Sequence, residues 1–228
     1  MILLKYELRR KKYPPNLYLL LILSAVAAGM IGSKLYYCLE EWSEFTADPL
    51  GTLFDTAGSG WYGGLIGGGL ALVLILKIKR LPLLQTLDII VPVMAISQVI
   101  GRLGCFMAGC CRGIISDVPW AVYFQYAPVP TSSRVHPTQL YEMLIYLGIF
   151  ILLWKLRNKE LKAGVRLSLY LILAGLGRFI VEFYRINPEV LLGFTAPQIL
   201  ATSGLVIGVL VLIHKSGITT PESRPLKY

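Results

Sequence analysis

LYLILAGLGRFIVEFYR occupies residues 169–185. Its first half is apolar or small, as a membrane core requires. Arg178, Glu182 and Arg185 then follow at spacings of four and three, which puts them on one helix face. A charge within a membrane span is costly unless a partner or water meets it. This face must therefore point into a bundle of helices and not at lipid, which makes the chain a polytopic, all-α membrane protein.

The rest of the chain agrees. It has 228 residues, 55% of them hydrophobic and only 15% charged, against about 25% charged in soluble domains. Mean hydropathy is +0.64. Apolar runs of about 17–22 residues, enough to cross some 30 Å of hydrocarbon, cover approximately 17–38, 62–79, 83–104, 137–155, 166–184 and 195–214. The expected architecture is a single integral membrane domain over 1–228, with about six transmembrane helices around a central lipid-accessible cavity.

The net charge of +9 would suit nucleic acid, but its distribution indicates topology instead. Five basic residues precede the first span, three lie in KIKR (77–80), five in KLRNKELKAGVR (155–166) and three in the tail, 16 of the 22 Lys and Arg. Six spans put all of these on one side. The positive-inside rule makes that side cytoplasmic, with both termini inside. The opposite loop, about 39–61, holds Glu40, Glu41, Glu44, Asp48 and Asp55 and no Lys or Arg. LYLLLILSAVAA (17–28) after basic residues also fits a signal peptide with small residues near Ala25 and Ala27. The apolar segment runs on to about Leu39, longer than such a leader needs, which favours a retained span. GGLIGGG (63–69) suits close helix packing, or leaves room for a lipid.

Six basic residues remain: Lys34, Arg102, Arg112, Arg134, Arg178 and Arg185. All fall at or near the outer half of the membrane, where topology does not explain them. A structural pair of Arg178 with Glu182, plus a snorkelling Arg185, would account for part of the pattern. Several arginines together also make an anion site, and the abundant anion of a bilayer is a phosphate headgroup. The planar fork of arginine binds phosphate oxygens bidentately and stays charged. In RVHPTQLYE (134–142), Pro137 suits a first helical turn. His136 is a candidate proton acceptor, or else a cap on the backbone. Glu142, inside the span, needs a partner, expected to be an arginine. His214, at a cytoplasmic helix end, favours the helix dipole.

These residues also carry a resemblance. EFTADPL (44–50), YGGLIGG (62–68), GRLGCF (101–106), HPTQLYE (136–142), GLGRFIVEFYR (175–185) and PQIL (197–200) resemble, in the same order, motifs of the bacterial phosphatidylglycerol–prolipoprotein diacylglyceryl transferases. The likeness runs from about Gly32 to Thr202. That family has seven spans, and this chain resembles it without the first. The resemblance implies transfer of a diacylglyceryl group from phosphatidylglycerol to the thiol of a lipobox cysteine in a secreted precursor, in the bacterial cytoplasmic membrane, with glycerol phosphate leaving. The family's two essential cavity arginines match Arg102 and Arg178, and Glu182 and Arg185 follow the second. The anionic phospholipid would be bound by these four with Gly63, Gly64, Gln139, Tyr141 and Glu142. No cofactor, metal or nucleic acid is implied.

The departures are concentrated in GRLGCFMAGCCRG (101–113). The family signature has Asn, Asn and Glu where this chain has Cys105, Ala108 and Cys110, and Cys111 is an addition. The family's HGG histidine becomes Tyr62. Tyr62, His136 or a thiol would then move protons, so the candidate catalytic set is Arg102, Arg178, Tyr62, His136, Cys105 and Cys110. The thiols have three readings: inert packing residues; an activated thiol near Arg102 that takes the lipid group; or, with His136, a metal site or disulfide. A different acceptor, or a non-catalytic phospholipid-binding role, stays open at this point.

Overall fold

The computed structural model describes residues 1–54 and 60–216. Within them the chain forms α1 (Ile2–Arg10), α2 (Leu17–Glu40), α3 (Trp42–Ala47), α4 (Pro49–Phe54), α5 (Trp61–Ile78), α6 (Leu83–Ala108), α7 (Thr138–Leu156), α8 (Val165–Glu182), β1 (Glu189–Leu191), β2 (Phe194–Thr195) and α9 (Ala196–Ser216). The protein is mostly helical and polytopic, and each of the six expected spans is a helix. By length and composition four are able to cross a membrane: α2, α6, α7 and Ala196–His214 of α9. The described apolar stretch of α5, Tyr62–Ile78, is shorter. Helix α8 carries Arg166, Arg178 and Glu182. Asp55, Arg224 and Lys227 lie outside the described residues.

The chain divides into two compact units, the first Met1–Thr86 and the second from Leu87 onward. In the first, α2 and α5 meet backbone to backbone. A Cβ on Gly32 would strike the Gly63 carbonyl, one on Gly63 the Gly32 carbonyl, and one on Gly67 the Ala28 carbonyl. Where lipid is as apolar as protein, such close approach supplies dispersion contact that hydrophobicity does not. Gly63 and Gly67 of GGLIGGG thus pack helices. The expected outer loop contains two short helices, α3 and α4. Asp48 Oδ1 accepts the Gly51 N–H at 2.9 Å, capping α4 just before Pro49, whose ring suits a first helical turn.

In the second unit α6, α7 and α8 share a core of Val91, Ala95, Ile149, Leu153 and Tyr170. Helix α9 lies close against α8, where a Cβ on Gly175 would meet the Ala201 carbonyl. The start of α8 is held by a carboxylate from another helix. Asp88 of α6 accepts the Gly164 N–H through Oδ2 and the Leu167 N–H through Oδ1, both at 2.8 Å. Two donors that the helix itself cannot satisfy are thereby met. At the preceding helix end, Arg166 donates to the carbonyls of Leu156 at 2.9 Å and Lys159 at 2.6 Å. Asp88→Ala is expected to lower stability by about 2 kcal/mol, the scale of a hydrogen bond to a charged acceptor. Thermal unfolding in detergent would read this as a lower midpoint, with Asp88→Asn recovering part of the loss.

Candidate active site

Helix α6 continues past the expected end at 104, carrying Arg102 and Cys105 on one face, and stops where Gly109 adopts φ +67°, a left-handed C-terminal turn. The irregular segment that follows is pinned by paired backbone contacts of Gly113 with Arg185 and of Val135 with Ile115 and Val122. It delivers the chain to His136 and to α7, which begins at Thr138, one residue after Pro137.

Glu142, one turn into α7, is 2% exposed. Its Oε2 lies 2.7 Å from Arg102 Nε and its Oε1 2.7 Å from Arg178 Nη1. Arg178 Nη2 also reaches Glu182 Oε2 at 2.7 Å, and Arg185 Nη2 stands 3.7 Å from Glu142 Oε2. The partner that a carboxylate inside a span requires is therefore a pair of arginines, one from α6 and one from α8. Three guanidinium groups face two carboxylates, leaving one positive charge in excess. The Arg102 contact is close but not aligned as a hydrogen bond, so its Nε–H is not directed at Glu142 Oε2.

Glu182 is held from the other side. Its Oε1 accepts from Asn187 Nδ2 at 2.5 Å and from Thr195 Oγ1 at 2.8 Å. Sequence reading missed both residues, although each lies next to a motif, Asn187 two positions after Arg185 and Thr195 just before PQIL. Helical spacing explains Arg178 and Glu182 but not Arg185, because α8 ends at Glu182. Arg185 arrives by a turn, its N–H on the Glu182 carbonyl at 3.0 Å, and its Nη2 donates to the Cys111 carbonyl at 2.7 Å. It points inward and does not snorkel.

The other three outer basic residues have different work. Arg112 donates to the Val129 carbonyl at 2.6 Å, and Arg134 to those of Ala121 at 2.8 Å and Pro119 at 3.0 Å. Lys34 of the first unit sits 5.1 Å from the Tyr37 ring centroid. Three of the six thus gather at Glu142, while Arg112 and Arg134 brace the segment between α6 and α7.

His136 is buried, and its Nδ1 lies 2.9 Å from the Tyr141 hydroxyl, which also accepts from Trp120 Nε1 at 2.6 Å. With Trp120 donating, the single Tyr141 hydrogen is free for Nδ1. Which of the two donates follows the His136 tautomer. Tyr184 closes the group, 5.0 Å from His136 and 6.1 Å from Tyr141 between centroids. Neither Trp120 nor Tyr184 was singled out from the sequence. Tyr141→Phe is expected to leave Trp120 and His136 each without a partner. The loss would be about 1–3 kcal/mol for each polar group that water does not reach, read as a lower unfolding midpoint.

Gln139, wholly buried, donates through Nε2 to the Cys110 carbonyl at 2.6 Å, and Thr138 Oγ1 to the Cys111 carbonyl at 2.9 Å. The start of α7 thereby fixes the thiol segment. The sulfurs of Cys105, Cys110 and Cys111 lie within 4.8 Å of one another, and all three are free thiols. Cys110 is largely exposed. What desolvation it has, with the neighbouring thiols of Cys111 and Cys105, pushes its thiol up to about 11, opposite to the direction an activated nucleophile requires. Cys110, Cys111, Arg112 and Arg185 line a pocket of about 630 Å³.

A family model for prolipoprotein diacylglyceryl transferase matches residues 1–214. The chain belongs to the prolipoprotein diacylglyceryl transferase family. The match reaches beyond the stretch from Gly32 to Thr202 in which motifs are visible. Among similar proteins, the phosphatidylglycerol–prolipoprotein diacylglyceryl transferase of Clostridium tetani is 34% identical over 92% of this chain and 85% of its own length. Enzyme 2 of that name from Clostridium perfringens is 32% identical over 83% and 75%, and the Corynebacterium glutamicum enzyme 32% identical over 97% and 78%.

The structure of this family member brings Arg102, Glu142, Arg178, Glu182 and Arg185 together. Gln139 and Tyr141 support the segments around them. Tyr62, Gly63 and Gly64 belong to the first unit. There Tyr62, in the first turn of α5, is half-buried with its ring 5.8 Å from that of Tyr36, and Gly63 is occupied with helix packing.

Proposed function

We propose that this protein transfers the diacylglyceryl group of phosphatidylglycerol to the thiol of a lipobox cysteine in a secreted precursor, working as one integral membrane domain of the bacterial cytoplasmic membrane. The reading rests on the convergence of Arg102, Arg178 and Arg185 on Glu142 within a family whose members carry that enzyme's name. The carbon–oxygen bond between the diacylglyceryl group and phosphate breaks, a carbon–sulfur bond forms, and glycerol phosphate departs with the negative charge. The thiol proton passes to solvent or to the phosphate. Arg102 and Arg178 bind the headgroup and stabilise the charge that grows on it, with Glu142 and Glu182 fixing their orientation. His136 assists proton transfer, with the thiols of Cys105 and Cys110 as further participants. The basic segments lie in the cytoplasm with both termini, and the site opens on the outer half.

The test is purified protein with phosphatidylglycerol labelled in its diacylglyceryl part and a lipobox peptide. Labelled thioether and free glycerol phosphate are expected in equal amounts, and none from a peptide with Ser for Cys. Bound lipid without thioether would sink the reading. Loss of the signature amide and acid at 105, 108 and 110 favours one alternative, the same donor with another acceptor. Deleting the gene would then remove an unusual lipid from the cell while leaving lipoproteins unchanged.

A further inference from the structure

We propose that Cys105, Cys110 and Cys111 form a three-thiolate site for a zinc-type cation whose fourth position takes the acceptor sulfur. This departs from the expectation of no metal. The acceptor half rests on the function proposed above.

The sulfurs of the three residues lie within 4.8 Å of one another. Zinc–sulfur bonds of about 2.3 Å at tetrahedral angles separate sulfurs by about 3.8 Å, so side-chain rotation of roughly 1 Å closes the site. The backbone that carries them is already placed. The Cys110 N–H bonds the Cys105 carbonyl at 3.2 Å, and its thiol lies 3.7 Å from the same oxygen. The Cys110 and Cys111 carbonyls are held by the buried Gln139 and Thr138, and the latter also by Arg185. Thiolate sulfur selects zinc or copper(I) over hard cations. Three thiolates on a divalent ion leave one negative charge, and Arg112 and Arg185 line the same pocket. Cys110 and Cys111 are exposed, which gives an ion its way in.

Three protein ligands, and not four, mark a metal with an open coordination position. A thiol that binds there is deprotonated outright, its proton going to solvent, and thiolate is the nucleophile that alkyl transfer to sulfur requires. Arg185 connects this position to the charge cluster, touching the Cys111 carbonyl on one side and Glu142 on the other.

The experiment uses the full chain in detergent, reduced and stripped with chelator. Cadmium(II) is titrated and the sulfur-to-cadmium ultraviolet band followed, with zinc(II) measured by competition against a chromophoric chelator. One ion per chain is expected. Cys110→Ser should weaken binding at least about a hundredfold, since even outer-shell partners change affinity by up to that much. Cys38→Ser should leave it unchanged. A lipobox peptide should intensify the band through a fourth sulfur, and its Ser counterpart should not. A reduced, folded protein that takes up no ion, or one bound equally by the Cys110→Ser variant, overturns the site. So does protein from cells with two of the three sulfurs in a disulfide. A band indifferent to the peptide overturns the acceptor half. None of these readouts needs turnover, so failure of thioether formation is scored separately.

Discussion

Arg178→Ala is expected to reduce thioether formation about 100- to 1000-fold, the effect of deleting one preorganised donor to a developing anion. Among the described residues Arg178 is the one arginine that touches both carboxylates, Glu142 through Nη1 and Glu182 through Nη2. Its loss removes the charge facing the phosphate and also leaves two buried carboxylates short of a partner, a defect that breaks folds as well as sites. Arg178→Lys separates the two effects. A lysine keeps the charge but cannot span two carboxylates with a planar fork. Retained thermal stability and binding of phosphatidylglycerol vesicles, with turnover still down tenfold or more, would assign the fork itself to the reaction. Full activity in Arg178→Lys would show that charge alone suffices and would remove the orienting role given to Glu182.

The second large effect lies far along the chain from the first. Gly63→Ala should lower stability by about 1–3 kcal/mol, the range for forcing a methyl group into a filled contact. The new carbon would press on the Gly32 carbonyl and the Tyr36 side chain, none of which moves without parting α2 from α5. Gly69→Ala, in the same run of glycines, meets nothing within 4 Å and should leave the unfolding midpoint unchanged or raise it. Equal losses at both positions would mean that flexibility, and not contact, explains the run.

These two cases show what a sequence makes legible. Arg178 and Glu182 were readable as a pair because four-residue spacing inside an apolar run permits little else. The need of Glu142 for an arginine was readable from the cost of a lone carboxylate in a span, but which arginine depends on how α6, α7 and α8 pack. Arg185 faces inward as helical spacing suggests, but by another route, since nothing in FIVEFYR marks the end of α8 at Glu182. Helices α3 and α4 look like loop in the sequence because six residues are too few to show a period. The three thiols stand out in the sequence as departures from the family signature. Their proximity depends on a left-handed turn at Gly109 and Cys111, whose φ values are +67° and +59°.

That last angle has a consequence of its own. Position 111 adopts a backbone shape in which any residue with a β-carbon is strained by about 1 kcal/mol or more, and glycine would relieve it. Engineering this protein for heat resistance would favour glycine there, while retaining whatever the sulfur does forbids it. Durability and chemistry pull this single residue in opposite directions.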